Sequence, residues 1–207
     1  MNNYFVILAA GKSKRFKANI AKQFFIYKNK EIIDHSIDKS LNSKLFRKII
    51  IVTNYKNHFK KKKYPKSVKI IKGGKERADS SLKALKYLRK YKPKNVFIHD
   101  AARPNFSIGL LKDISKNLKK NKAVVPVINS KDSIKYKTQN QIFNLKRNNS
   151  LLTQTPQAFR YKELYNLAIK QKQKITDEAS LFIDQNQKVK FILGENQNNK
   201  ITYLDDI

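Results

Sequence analysis

Short apolar runs recur along the chain at Phe5–Leu8, Ile49–Val52, Val68–Ile71, Val96–Ile98, Ala123–Ile128 and Val189–Leu193. These are strand-length runs, and their composition predicts strands. Between several of them apolar residues return every three or four positions. Ile32, Ile33, Ile37 and Leu41 predict one helix; Ala78, Leu82, Leu85 and Leu88 a second; Ile108, Leu111, Ile114 and Leu118 a third; Tyr161, Leu164, Leu167 and Ala168 a fourth. Strands alternating with helices predict an α/β layer structure with a mostly parallel sheet. Ligands of such sheets bind beyond the carboxyl ends of the strands, and the polar clusters of this chain sit there. That placement points to an enzyme.

The leading strand ends in Ala9, Ala10 and Gly11, followed by basic side chains at Lys12, Lys14, Arg15 and Lys22. Small residues let backbone N–H groups approach a phosphate closely, and fixed cations beyond them neutralise a triphosphate. The segment is not a Walker A loop, because Val6 stands where that motif needs glycine. It is not a G-x-G-x-x-G fingerprint either, because Ser13 and Phe16 occupy the later glycine positions. Taken alone, the segment reads equally as a tight turn carrying solvated lysines. Gly73-Gly74 follows the third strand and leads into the second helix; it permits positive φ and close backbone approach, and the helix start offers free N–H groups. An ordinary glycine turn before a capped helix is the plain alternative. His99-Asp-Ala-Ala-Arg-Pro104 follows the fourth strand. There Asp100 and Arg103 either face a ligand or divalent cation, or pair with each other. No role is assigned to His35, His58 or His99.

Residues 129–150 lack core-like periodicity but hold two alternating segments, Ile134–Lys137 and Ile142–Lys146, flanked by Ser133 and Arg147. They predict a projecting hairpin, and an isolated hairpin is marginal, so a second subunit is the expected support. Gln154–Phe159 reads as an extended stretch. In Ile175–Ser180, Thr176 is the expected N-cap, with Asp177 and Glu178 in the first turn of a helix.

Length changes this picture little: 207 residues fit a single domain, here taken as residues 1–207. No window approaches a membrane span, and the N-terminus lacks the basic region of a signal peptide. The absence of cysteine excludes disulfides, thiolate metal sites and cysteine nucleophiles, and the expected location is the cytoplasm. A net charge of +31 would ordinarily suggest nucleic acid. The basic residues are spread over the whole length, however, alongside many Asn and Ile, the residues that AT-rich codons supply. Lys60–Lys63, the densest run, reads as a solvated helix end or loop. No RNA- or DNA-binding motif is present, so a nucleic-acid role is not favoured.

Jointly and in this order, Leu-Ala-Ala-Gly…Arg15…Lys22-Gln, Gly-Gly…Arg77…Ser80, His-Asp-Ala-Ala-Arg-Pro, Gln-Thr-Pro-Gln-Ala-Phe and Ile-Thr-Asp-Glu-Ala-Ser resemble the 2-C-methyl-D-erythritol 4-phosphate cytidylyltransferases of the non-mevalonate isoprenoid pathway. The resemblance runs from Val6 to about Asp206. It implies a Rossmann-like nucleotidyltransferase domain, a three-layer sandwich whose arm, at about 129–150, builds a homodimer. It also implies that CTP is joined to methylerythritol phosphate with Mg²⁺, releasing pyrophosphate. By matching positions, Arg15 and Lys22 would stabilise the transition state, and Arg147 and Lys200 would position the polyol phosphate. Ala9, Ala10, Gly11, Gly74 and Ser80 would contact CTP. Asp100, Arg103, Ser133 and Thr155 would contribute to the substrate pocket; the resemblance assigns no metal ligands. The chain departs from the family at Ala21 (proline), Lys75 (acidic), Ser133 (threonine) and Asn199 (isoleucine), and the family's C-terminal helix is expected to be cut short after Ile207. Two rivals are a cytidylyltransferase acting on ribitol 5-phosphate and a basic nucleic-acid-binding protein. The second would show clustered charge with exposed aromatics, whereas the aromatics here fall in apolar runs.

Overall fold

The computed structural model describes residues 2–16, 20–171 and 175–207; the side chain of Lys14 lies outside that description. In chain order the strands and α-helices are β1 (Asn3–Leu8), β2 (Ile26–Tyr27), β3 (Lys30–Glu31), α1 (Ile32–Asn42), β4 (Lys48–Thr53), β5 (Val68–Lys72), α2 (Arg77–Leu88), β6 (Asn95–Asp100), α3 (Ile108–Leu118), β7 (Ala123–Asn129), β8 (Ile134–Lys137), β9 (Ile142–Leu145), β10 (Leu151–Thr153), β11 (Gln157–Arg160), α4 (Tyr161–Lys170), α5 (Glu178–Ile183) and β12 (Lys190–Leu193). All six apolar runs and all four periodic segments of the sequence are elements of the type they predict.

β1 lies between β4 and β6, parallel to both, and β5 continues the parallel set beyond β4. Buried on both faces, such strands alternate the layer they serve rather than alternating apolar with polar. Phe5 and Ile7 pack with Ile33 and Ile37 of α1 and with Leu111 and Ile114 of α3. Tyr4 and Val6 point the other way, to Leu85 and Leu88 of α2, Leu164 of α4 and Phe182 of α5. Helices on both faces of one sheet make the three-layer sandwich, and every parallel strand of this half delivers its carboxyl end to the same edge.

The far half of the sheet is mixed. β11 enters between β6 and β7 antiparallel to both, while β12 runs parallel to β7 on its other side. β10 is antiparallel to β7 and leads into β11 across a cis Thr155–Pro156 peptide. The segment read as extended thus contains a central strand. Its apolar signal is masked by Gln157, buried yet satisfied by Asp177 Oδ2 at 2.8 Å and by the N–H of Ala179 at 3.3 Å. α5 also differs from expectation. Asp177, not Thr176, is its N-cap, accepting from the N–H of Ser180, and Glu178 is its first helical residue.

β8 and β9 pair only with each other and stand off the main sheet. Their residues Tyr136, Ile142, Phe143 and Leu145 are exposed. Among the described residues no helix is long and apolar enough to cross a membrane.

Candidate active site

A cleft of about 520 Å³ opens at the carboxyl ends of β1 and β6. Its walls are the loop from Ala9 to Ser13, the start of α2 from Gly74 to Ser80, and the segment carrying Lys200 and Thr202. Ala9, Ala10, Gly11, Arg15, Lys22, Gly74, Ser80, Asp100 and Lys200, each singled out from the sequence, are brought together here.

The loop after β1 is held by a buried side chain that sequence reasoning left without a role. Gln23 Nε2 donates to the carbonyls of Ala9 at 3.0 Å and Gly11 at 3.3 Å, while Ser13 Oγ donates to Gln23 Oε1 at 3.3 Å. The N–H of Lys22 donates to Ser13 Oγ at 3.0 Å, closing the loop onto the segment that carries the lysine. Two carbonyl oxygens that would repel a phosphate are thereby engaged elsewhere.

The glycine pair serves close approach alone. No described glycine has positive φ, so of the two properties that Gly73-Gly74 permits only close approach is used. A Cβ on Gly73 would lie 2.5 Å from Cβ of Ala10, and one on Gly74 would lie 2.2 Å from Cβ of Asp79. Glycine at 73 therefore lets the turn before α2 press against the β1 loop, and glycine at 74 lets it fold back onto the first turn of α2. The N–H of Gly74 donates to Ser80 Oγ at 3.0 Å, and the Ser80 hydroxyl donates to the carbonyl of Glu76 at 3.1 Å. Asp79 accepts from the N–H of Glu76 at 3.0 Å, so the helix start is capped by its own acids.

Cations converge on the cleft. Lys22 Nζ donates to the carbonyl of Ile201 at 2.7 Å. Burial first, and then the neighbouring charges of Lys200 and Arg15, lower its pKa from 10.5 to about 8. Such a lysine gains from any anion that enters. Arg15 is exposed at the cleft wall. Asp100 pairs with Arg77 Nε at 3.0 Å and Lys200 Nζ at 2.6 Å, not with Arg103 as one reading of the sequence had it. Burial alone would raise the Asp100 carboxyl, but Arg77 and Lys200 outweigh it and hold it well below the usual carboxylate range.

Other predicted site residues lie off the cleft wall. Arg103 donates to the carbonyls of Asn198 at 2.8 Å and Thr153 at 3.4 Å, tying the Lys200 segment to β10. Thr155 is buried behind Asp100, accepting its N–H at 3.1 Å and bonding His99 Nδ1 at 3.0 Å. His99 itself is fully buried against Ser36 and Thr155, and burial pushes its pKa down to about 3. It is a packed neutral histidine. Ser133 and Arg147 are exposed on the arm, away from this chain's own cleft, with Arg147 donating to the carbonyl of Lys131 at 3.2 Å. The described residues contain no group of three or more His, Cys, Asp or Glu side chains able to hold a metal ion.

A mostly parallel sheet with helices on both faces and a cationic loop at the mouth of its leading strand is the architecture of a Rossmann-like nucleotidyltransferase. The sequence model of the IspD family, 2-C-methyl-D-erythritol 4-phosphate cytidylyltransferase, matches residues 4–207. The chain belongs to that family. It is 48% identical over its whole length to a bifunctional IspD/IspF enzyme of Pelagibacter ubique, of which it spans 56%. It is 35% identical to a 2-C-methyl-D-erythritol 4-phosphate cytidylyltransferase of Thermosipho melanesiensis, over 99% of this chain and 94% of that one. The crystal structure of a 4-diphosphocytidyl-2C-methyl-D-erythritol synthase from Anaerococcus prevotii superposes with a TM-score of 0.85 at 28% identity, covering 99% of this chain and 92% of that one.

Proposed function

We propose that the protein transfers a cytidylyl group from CTP to 2-C-methyl-D-erythritol 4-phosphate, giving the diphosphocytidyl product and pyrophosphate. Family membership supports the substrates. The observation that carries the chemistry is the convergence of Arg15, Lys22 and Lys200 on one cleft beside a loop whose carbonyls are engaged by Gln23. A phosphate monoester has its second pKa near ~6, so at neutral pH the acceptor is already largely a dianion able to attack the α-phosphorus. A new O–P bond forms in line as the bond to the β-phosphate breaks. No protein base is needed for that step. The step does need neutralisation of charge on the α-phosphoryl group and the leaving pyrophosphate, and correct placement of both reactants. Lys22 and Arg15 supply the first; Lys200 and Asp100 hold the acceptor. Ala9, Ala10, Gly11, Gly74 and Ser80 form the nucleotide side.

Mg²⁺ is ordinarily held by one or two carboxylates plus substrate phosphates. Both oxygens of Asp100, the carboxylate at the cleft floor, are already held by Arg77 and Lys200, so the triphosphate itself would supply most of the ion's ligands. Held there, it would neutralise charge on the departing pyrophosphate.

The arm completes the reading. Its exposed Tyr136, Ile142, Phe143 and Leu145 offer an apolar surface for a second copy, and Arg147 and Ser133 at its base would serve the partner's acceptor site. The whole chain is then one nucleotidyltransferase domain acting as a cytoplasmic homodimer. The test is a pyrophosphate-release assay crossing four nucleoside triphosphates with methylerythritol phosphate and ribitol 5-phosphate. Turnover confined to CTP with methylerythritol phosphate is expected. A preference for ribitol phosphate or another base would sink the assignment.

A further inference from the structure

Arg77 and Glu178 take no part in the chemistry above, although both stand in the segments that mark the family. Glu178 is the first residue of α5, and its side chain is only 1% exposed. A carboxylate buried so deeply is costly unless paired and hydrogen-bonded. Both its oxygens are taken by one guanidinium, from Arg77 Nη1 at 2.8 Å and Nη2 at 3.0 Å. Arg77, the first residue of α2, donates from Nε to Asp100 Oδ1 at 3.0 Å. The other oxygen of Asp100 receives Lys200 Nζ at 2.6 Å.

The result is a chain of alternating charge, Glu178–Arg77–Asp100–Lys200, running from the α2/α5 side of the sheet to the cleft. Each link fixes the next. The two-point pairing orients the planar guanidinium, and the oriented guanidinium leaves Nε aimed at one carboxylate oxygen. That contact sets the Asp100 rotamer, and Asp100 in turn sets where the flexible Lys200 ammonium rests. A lysine is a point charge on a long stem, so its placement depends on what grips it. The next residue after Lys200, Ile201, accepts from Lys22. The acceptor cation is thus stationed beside the nucleotide cation.

We infer that Arg77 and Glu178 are positioning residues for the acceptor phosphate, acting on Lys200 through Asp100. The inference rests on the proposed role of Lys200. Because they act on one substrate only, their loss should separate the two Michaelis constants, which a merely structural ion pair would not do.

The experiment compares wild type with Glu178→Gln, Arg77→Lys and the double variant Arg77→Met/Glu178→Leu in steady-state pyrophosphate release, varying CTP and the polyol phosphate in turn. The double variant replaces the buried Arg77–Glu178 pair with apolar groups while Asp100 keeps Lys200, so no buried charge is left wholly unpaired, as the single variants leave it, and the protein is expected to stay folded. Its fold is checked by thermal melting. The expected result is an acceptor KM raised on the order of ten- to a hundredfold, by analogy with the loss of a partner behind a metal ligand. The KM for CTP should stay within about twofold, and Arg77→Lys should lie between wild type and the double variant. An acceptor KM within about twofold of wild type in the folded double variant would overturn the inference, as would an equal rise in both constants. If wild type preferred ribitol 5-phosphate, the assignment of the acceptor would fail while the split could still be read with that substrate. No turnover with either acceptor would remove both.

Discussion

Lys22 is the residue whose ionisation the cleft alters most usefully. In the free enzyme it is protonated below about pH 8 and neutral above. We therefore expect kcat/KM for CTP to fall as pH rises through about 8, with the limb in kcat displaced upward because bound phosphate restores the proton. Lys22→Ala should abolish that limb and lower kcat on the order of a hundredfold or more. A limb of unchanged position in Lys22→Ala would assign the titration to another group. Stability moves the opposite way. The folded pKa lies below the unfolded value of 10.5, so between about 8 and 10.5 the unfolded chain holds more protons and this group's contribution to stability rises with pH. Thr155 makes a different kind of prediction. Its hydroxyl serves the buried N–H of Asp100 and the ring of His99, so Thr155→Val leaves a buried donor unpaired and should cost about 1–3 kcal/mol in urea unfolding. A variant as stable as wild type would show that bond to be dispensable.

Among the elements, the strand-loop unit at β1 was legible because its signals are local: an apolar run, three small residues, then basic ones. The parallel strands and the four long helices were legible for the same reason, since burial on a fixed period writes itself into the sequence. β11 was not, because a strand carrying a satisfied buried glutamine looks polar until Asp177 and Ala179 are brought beside it. The cap of α5 was misplaced by one residue, and Glu178, which suits a helix start electrostatically, proves to be the buried partner of Arg77. Nor could spacing show that Asp100 answers to Arg77 and Lys200, residues 23 and 100 positions away. Contact between elements carries its own prediction. Gly73→Ala would set a methyl group 2.5 Å from Ala10, forcing the β5–α2 turn off the β1 loop. We expect a loss of about 1–3 kcal/mol of stability, with weaker CTP binding by calorimetry. Unchanged CTP affinity would mean that this packing does not shape the nucleotide site.

At the scale of the whole molecule, the arm decides whether one chain suffices. Arg147 and Ser133 do not line their own cleft, and the apolar side chains of β8 and β9 are exposed. If the arm reaches a partner, Lys22→Ala and Arg147→Ala chains, each inactive alone, should complement when mixed and allowed to exchange subunits. Random pairing gives one intact site in half of the dimers, so recovery should approach about a quarter of wild-type activity. No recovery, with dimers demonstrated by light scattering, would place Arg147 in its own subunit's site or outside catalysis. The charge of +31 does not bear on this geometry, since it is spread along the chain rather than gathered on the arm.

All of this depends on cations at the mouth of β1 receiving the triphosphate. A crystal structure with CTP and Mg²⁺ bound tests that directly. The α-phosphate should lie within hydrogen-bond reach of Lys22 and Arg15, with the phosphate chain against the backbone of Ala10 and Gly11. A triphosphate seated elsewhere, clear of Lys22 and the β1 loop, would contradict it.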